Sequence, residues 1–459
     1  METRSGNLVD PVYPQDKMNA SIDLGTHQAK VTGSTCEVEV EMQFTPRAGV
    51  LFRVPEAQLV PSEISKSLCD VIKKDIKCSV ELLDRSITIQ ALPISINLSG
   101  GTWGHSSRIV MVPDTSLVNA LCDRNSIHRA VIHLFNFPKF YGESDCQVLS
   151  ECHGKQTWRR CGRVELKANG WCFTIAAMKD TKEREEGLRE QGGYHLTHVA
   201  QTAREDDAAF VSQDLNAQVN LLHEFLSFVL GRWAGVGLTC GYNDHDKMVF
   251  EEWGVRHMHP DIRHFSSWFC PHRARMICDV FPGFARLQDS PVWCKALKHI
   301  IHWYIAANDL ESAAAAVEVQ VVHAQIALET LAWTLCVQDK RMVSKNKFKG
   351  STAADTVRLL LSSCDTPRDI PAHMSPLLQG MRDGKWSDGP DAIAQLRNHV
   401  VHPDRAWEIP PGSFYEAGQL ALWYVEMALL HIVGYKGDYA SRLMRPRWVG
   451  QTEPVPWSQ

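Results

Sequence analysis

The apolar residues of this chain change their spacing near residue 290, and that change constrains the fold more than any other feature. Before it, short segments alternate apolar and polar residues, as residues 36–44 do, and Pro, Gly or Asp bound them. After it, apolar residues recur at helical spacing, as in residues 293–307. The sequence therefore predicts an α+β multidomain protein. A β-rich N-terminal domain, with sandwich or barrel-like strands and a few helices, is followed by an all-α bundle.

The same change of spacing divides the chain into four parts. Residues 1–20 are polar and contain Pro, and are expected to form a flexible lead-in. Residues 21–290 are expected to form the β-rich domain, with helices at 181–191 and 212–230 and an irregular segment after residue 253. Residues 291–447 are expected to form a bundle of four or five helices, and residues 448–459 a tail.

The composition is that of a soluble globular protein expected in the cytoplasm. The chain of 459 residues is 44% apolar and 22% charged, and it is too long for one ordinary core. No segment has the apolar length of a membrane-spanning helix, and residues 1–7 lack a signal peptide's apolar stretch. The 14 cysteines are therefore expected to be reduced, and none forms a C-x-x-C pair. The net charge of −5 gives no general attraction for nucleic acid, so such contact requires a local basic patch.

The segment R-N-H-V-V-H at residues 397–402 contains several side chains that could take part in catalysis. Pro403 disfavours helical geometry at His402, so the motif is expected to straddle a helix end. Asn398 and His402 are four residues apart, on one helix face and within reach of Arg397. A fixed cation, a titratable imidazole and an orienting amide are the groups that phosphate-ester chemistry requires. On its own, so short a pattern is better explained by basic groups that cap the carbonyls of a surface helix.

Two further segments favour a catalytic role for the motif over helix capping. Residues 327–331, Ala-Leu-Glu-Thr-Leu, place Glu329 on an otherwise apolar helix, where a carboxylate requires a cationic partner. Residues 434–443 begin with Gly-Tyr-x-Gly-x-Tyr. Together with the motif, these segments resemble the HEPN superfamily of all-helical ribonucleases, whose hallmark is R-x(4–6)-H with a polar residue after the arginine. They look like the ApeA branch, which is associated with bacterial defence against phage.

The resemblance extends over most of the chain. It is close over residues 296–445 and looser before them. Residues 196–198, 225–232 and 250–253 resemble segments of the domain that precedes HEPN in ApeA-like proteins.

This resemblance implies a metal-independent endoribonuclease without a cofactor, in which the ribose 2′-hydroxyl attacks the adjacent phosphorus. His402 would transfer protons, and Arg397 would hold the phosphoryl oxygens. Asn398 would orient the phosphate or His402, and Glu329 would hold Arg397 in place. His399, a second imidazole within the motif, is an accessory candidate. One histidine supplies one proton-transfer group, so a homodimer through the bundle with a composite site is expected, and HEPN proteins resemble this arrangement.

The expected partner is RNA, with transfer, ribosomal and messenger RNA all open, and no membrane. The basic residues that follow the Glu329 helix are candidate phosphate contacts, although a solvated charged loop explains them equally well: Lys340, Arg341, Lys345, Lys347 and Lys349. The expected role is abortive-infection defence, with the N-terminal domain sensing a phage-derived trigger. The alternatives are a non-catalytic HEPN module for dimerisation or for binding nucleotides or RNA, and a sensor of a phage protein.

Other groups of residues are weaker candidates for a functional site. One segment holds several potential ligands, namely His257, His259, His264, Cys270 and His272. Their spacing matches no zinc pattern, so aromatic-rich packing is preferred and no metal is predicted. Arg442, Arg445 and Arg447 are expected to be scattered surface bases.

Overall fold

The structure is a computed structural model of the chain. It describes residues 10–31, 34–44, 48–54, 77–101, 104–122, 126–141, 146–152, 155–262, 266–309, 317–402, 408–448 and 450–458. Within these ranges, no helix combines the length and the apolar character needed to cross a membrane.

Six antiparallel strands close into a barrel. They are β1 Ile22–Val31, β2 Ser34–Gln43, β3 Gly49–Val54, β4 Cys78–Leu82, β5 Ile87–Gly101 and β6 Gly104–Pro113. Their order is β1-β2-β3-β6-β5-β4, and β4 pairs with β1 to close the ring. Strand β2 shows the predicted alternation of buried and exposed side chains. Val38, Val40 and Met42 are at most 1% exposed, while Glu39 faces solvent. The prediction of barrel-like strands is confirmed.

A seven-stranded antiparallel sheet follows the barrel. Its strands are β7 Val118–Cys122, β8 Arg129–Phe135, β11 Arg163–Ala168, β12 Trp171–Ala177, β13 Leu196–Arg204, β14 Gly235–Tyr242 and β15 Met248–Val255. Their order is β11-β12-β13-β8-β14-β15-β7, and a separate hairpin consists of β9 Cys146–Cys152 and β10 Lys155–Cys161. Two helices have the predicted bounds, α1 Thr181–Gln191 and α2 Ser212–Leu230. Helix α2 ends at Gly231, whose φ of 66° is in the left-handed region that favours glycine.

The remainder of the chain is mainly helical. The helices are α3 Arg275–Asp289, α4 Trp293–Asp309, α5 Val317–Ala332, α6 Lys345–Lys349, α7 Ala353–Ser363, α8 Ser375–Arg382, α9 Gly389–Val401 and α10 Ser413–Ile432. Helix α5 continues into a π-helical segment, Trp333–Asp339. Near the C-terminus, β16 Asp438–Tyr439 pairs with β17 Glu453–Pro454, and a 3-10 turn covers Pro456–Ser458. The observed architecture is thus α+β and multidomain, with β-rich and helical regions in the predicted order.

Helix α3 corrects the expectation of an irregular segment before residue 290. Its buried residues Ile277, Val280, Phe281 and Phe284 recur at helical spacing. Pro282 lies inside the helix, where proline normally argues against helical structure, and this concealed the pattern.

Within the described residues, buried apolar side chains form two hydrophobic cores. One fills the barrel and includes Phe135 and Trp253 of the sheet. The other runs from the sheet through α2 and α3 into the helical bundle. The packing is therefore continuous across residue 290.

The expected flexible lead-in and the expected tail are both packed where the structure describes them. In the lead-in, Gln15 is 2% exposed, and its Oε1 accepts a hydrogen bond of 2.8 Å from the N–H of Leu196. In the tail, Nε1 of Trp457 donates to the carbonyl of Tyr435 at 2.6 Å. Hydrogen bonds thus hold residues of the lead-in, which is expected from composition to be flexible, and residues of the tail.

A buried polar cluster joins the bundle to the sheet region. Arg442 and Glu426 form an ion pair of 2.6 Å, and both side chains are 0% exposed. Glu426 also accepts a hydrogen bond of 2.6 Å from the hydroxyl of Tyr304. Arg442 donates to the carbonyl of Ser266 at 2.7 Å, while Asn308 donates to the carbonyl of Gly231 at 2.8 Å. The expectation that Arg442 is a surface base is therefore wrong.

We expect Arg442→Met to lower the free energy of unfolding by about 3–5 kcal/mol, because it leaves the Glu426 carboxylate buried without its cation. Chemical denaturation monitored by circular dichroism measures the change. The matched control is Arg445→Met, which removes an exposed arginine three positions away and should change stability little. Equal stability of the two variants would contradict this role of Arg442.

Two histidines of the sheet are buried in the neutral form. Nδ1 of His133 contacts the carbonyl of Leu238 at 2.6 Å, and its Nε2 accepts the N–H of Tyr13 at 3.0 Å. Because Nε2 accepts a hydrogen bond it carries no proton, so Nδ1 is the donor to the carbonyl and the ring is neutral. Burial lowers the pKa of His133 to about 4. It lowers the pKa of His198, which stacks on Phe140, to about 3.

These lowered pKa values predict acid sensitivity. As the pH falls from 6.5 towards 4, the unfolded chain binds protons that the folded chain excludes, so stability is lost over this window. For His133 the full loss is about 3 kcal/mol. We expect His198→Phe to reduce the slope of unfolding free energy against pH between 4 and 6.5, as measured by denaturation at several pH values. His245→Phe, at a side chain that is 84% exposed, is the control. Identical slopes in both variants would contradict the prediction.

Candidate functional site

Helix α9 carries the Arg397–His402 motif, and its start is firmly fixed. Asp388 caps the helix by accepting the N–H of Asp391 at 2.9 Å, and Pro390 stands in the first turn. Arg358 of α7 binds both carboxylate oxygens of Asp388, at 2.8 and 3.0 Å. The buried face of α9, which includes Leu396, packs against the other helices. The motif is thus positioned by a helix anchored at its other end.

The end of α9 has the predicted form. The helix stops at Val401, and His402 adopts an extended conformation with φ −127° and ψ 92°. The N–H of His402 still donates to the carbonyl of Asn398 at 2.9 Å. The prediction that the motif straddles a helix end is confirmed.

Arg397 and Asn398 are in direct contact. Nη1 of Arg397 donates to Oδ1 of Asn398 at 3.2 Å, and both residues are half-buried while His402 is exposed. Over the residues that the structure describes, Arg397 has no acidic partner within 4 Å, so its charge is not neutralised there. The ring of His399 lies 6.2 Å from that of Phe414 at the start of α10. The arrangement offers a cation, an amide and an accessible imidazole at one helix end.

Glu329 does not contact Arg397 in this chain. Its Oε1 accepts a hydrogen bond of 2.7 Å from Gln325, one turn earlier on α5. None of the ion pairs in the described part of the chain joins it to Arg397. The predicted direct support of Arg397 by Glu329 is therefore not formed.

Glu329 lies among residues of α5, α6 and α7. Glu329 shares a cleft with Thr356 of α7, and Arg358, two residues further on, binds Asp388 at the start of α9. Arg397 lies nine residues beyond Asp388, about 14 Å along α9 at the usual helical rise. The hydrogen bond and the cleft of Glu329 thus involve α5, α6 and α7, whereas the motif is at the end of α9.

We call residues 340–349 the basic segment. The cleft is lined by Glu329 and by part of this segment. It encloses about 550 Å³, and Trp333, Lys345 and Lys349 are among its lining residues. All five basic side chains of the segment are exposed. Within the described ranges none has an ion-pair partner within 4 Å. The predicted RNA-binding residues are therefore accessible, and Lys345, Lys347 and Lys349 lie on the short helix α6.

The predicted histidine-rich cluster does not form a metal site where the structure describes it. His259 pairs with Asp309 at 2.9 Å, and the ring of His257 packs on Trp233. His264 lies outside the described residues. No group of three or more potential ligands gathers in the described part.

Sequence reasoning missed a cavity lined by Arg232 and Arg447. The sequence predicts no role for Arg232, which lies in one of the resembling segments, and predicts a surface position for Arg447. The signal that could have found Arg232 is its position, directly after the Gly231 that ends α2 and amid apolar sequence. The partner residues, which are distant in sequence, give no such signal.

Comparisons with known proteins identify two matching family models. The YopA C-terminal domain model matches residues 290–454, and the YopA central domain model matches residues 123–263. The chain is 31% identical over 312 residues to the SPbeta prophage-derived uncharacterized protein YopA of Bacillus subtilis (strain 168). That alignment covers 66% of this chain and 68% of the relative. No solved structure matches significantly.

Proposed function

This chain belongs to the YopA family, and we propose that it is a metal-independent endoribonuclease of the HEPN type. The observation that carries the proposal is the end of α9. There Arg397 contacts Asn398 at 3.2 Å, and His402 is exposed one turn beyond Asn398. These three residue types, in this spacing and in a helical bundle, suit the cleavage of a phosphodiester that carries a neighbouring hydroxyl.

The proposed reaction assigns a step to each group. The ribose 2′-oxygen attacks phosphorus and loses its proton to a base, while the 5′-oxygen of the next nucleotide leaves and receives a proton from an acid. The products are a 2′,3′-cyclic phosphate and a 5′-hydroxyl. Arg397 offsets the charge that develops on the phosphoryl oxygens, and Asn398 holds the guanidinium through their hydrogen bond. His402 performs one of the two proton transfers.

A second copy of the chain would supply the other proton-transfer group. His402 is exposed at the end of its helix, which suits an approach of two copies about a two-fold axis. We therefore include a homodimer through the bundle in the proposal. Glu329 does not contact Arg397 within one chain. It lies beside Lys345 and Lys349, where it would help arrange the basic segment rather than Arg397.

The proposed biological setting is defence, in which the β-rich region responds to a phage-derived trigger and restrains the nuclease until then. The relative in Bacillus subtilis is described as prophage-derived, and a prophage protein that acts on RNA during competing infection is compatible with this setting. A non-catalytic bundle that only binds RNA or transmits a signal is the outcome that the following experiment would reveal.

We expect Arg397→Ala and His402→Ala each to reduce RNA cleavage by a factor of about 10²–10⁴, with the secondary structure unchanged. Cleavage of a labelled oligoribonucleotide in EDTA, with analysis of the product ends, measures this. His373→Ala, at an exposed histidine outside the motif, is the matched control, and His399→Ala tests the accessory role of His399. Cleavage of a fully 2′-deoxy oligonucleotide, or full activity of both alanine variants, would overturn the proposal.

The basic segment is expected to contribute to the affinity for RNA. Lys345→Glu with Lys347→Glu, in the His402→Ala background, should weaken binding and reduce the slope of log affinity against log salt by about 1.4. Fluorescence anisotropy with a single-stranded RNA measures both quantities. Lys167→Glu with Lys182→Glu makes the same charge change at side chains 55% and 66% exposed elsewhere. If both pairs weaken binding equally, the segment contributes only net charge.

A further inference from the structure

A second site lies away from the α9 motif, in a cavity of about 440 Å³ between the sheet region and the C-terminal segment. Lys139 follows β8, Arg189 belongs to α1, Arg232 follows α2, and Arg447 lies near the C-terminus. We propose that this cavity binds a nucleotide, with its phosphate held by the arginines and its base against Trp448. The inference does not depend on the ribonuclease proposal, because α9 contributes no lining residue.

Arg232 is the central observation. It is 3% exposed, and Nη2 donates to the carbonyl of Asn136. Nη1 is buried and, within the described structure, has no hydrogen-bond partner. Burial lowers the pKa of Arg232 to about 10, so the guanidinium remains charged at neutral pH. Asp261 and Glu185 act on this charge, but within the described residues neither forms an ion pair with Arg232. A buried guanidinium with an unpartnered Nη1 is costly, and an anion in the cavity would offset that cost.

The other charged groups of the cavity favour an anion. Glu185 is the acidic residue of the lining, and Arg189 already binds its Oε1 at 2.6 Å. The second oxygen of Glu185 accepts the N–H of Lys139 at 2.9 Å. Among the lining residues, Lys139, Arg232 and Arg447 therefore remain as positive charge, of which Asp261, next to the lining residue Ile262, offsets a part at Arg232.

Arg447 gives the cavity an accessible cation. The residue as a whole is exposed, but its guanidinium is close enough to protein groups for desolvation to lower its pKa. Its Nη2 donates to the carbonyl of Ser267 at 3.2 Å, which fixes the planar group at the cavity. Arginine presents paired donors that match phosphate oxygens, so a phosphate fits this set better than a single carboxylate does.

Size and an aromatic ring favour a nucleotide over inorganic phosphate. The volume is within the range of about 300–1,000 Å³ that is usual for small-molecule sites. Phosphate alone would leave most of the cavity empty. Trp448 lines the cavity and is 70% exposed, so its ring is available to stack on a base.

Isothermal titration of the full chain with AMP, ATP and inorganic phosphate tests the proposal. We expect saturable binding of AMP or ATP that is tighter than that of phosphate. Arg447→Gln should weaken it by about tenfold or more. Trp448→Ala should weaken nucleotide binding but leave phosphate binding unchanged. Arg445→Gln, at an exposed arginine that does not line the cavity, is the matched control and should bind as the unaltered chain does.

Arg232→Met tests the buried cation directly, with circular dichroism to confirm that the variant folds. Loss of nucleotide binding in the folded variant supports the site. Three results would overturn the proposal: no saturable binding of any of the three probes, equal affinity for phosphate and nucleotides, or binding abolished by Lys345→Glu with Lys347→Glu but not by Arg447→Gln.

Discussion

The ion pair between Arg442 and Glu426 is the centre of a buried polar cluster whose hydrogen bonds, to Tyr304 and Ser266, connect parts of the molecule that are far apart in sequence. Both side chains are fully buried, so each charge depends on the other and on neighbouring hydrogen bonds for its solvation. Through the carbonyl of Ser266, Arg442 also fixes the chain that leads out of the sheet region. The Ser266–Ser267 segment lines the cavity that we assign to a nucleotide. A ligand there would lie next to the polar cluster that joins sheet and bundle.

The molecule places its charges in two contrasting ways. In the sheet region, His133 and His198 are buried and kept neutral, while Arg232 is buried and remains charged. At the end of α9 and in the basic segment, the cations are accessible. Accessible cations suit a large, exchanging polyanion such as RNA. A buried cation suits a small ligand that is enclosed and desolvated, and this is why we infer two different ligands for the two sites.

Local patterns predicted the elements whose signals are local. The limits of α1 and α2 were predicted, and the end of α9 followed from Pro403. Barrel closure between β1 and β4 was not predictable in detail, because it pairs residues about fifty positions apart. The separation of Glu329 from Arg397 depends on how α5, α7 and α9 align, and no local spacing encodes that alignment. The same holds for the cavity, whose cations come from four segments.

The continuous second core has a consequence for how this chain can be divided. The central-domain model ends at residue 263, and the C-terminal-domain model begins at residue 290. The apolar interior nevertheless passes across that interval from the sheet into the bundle. A fragment that begins at residue 290 would leave apolar faces of α4 and the bundle without their cover from α2 and α3, and would tend to aggregate. The two matched regions therefore share one packed interior, and communication between them would proceed by small shifts within it.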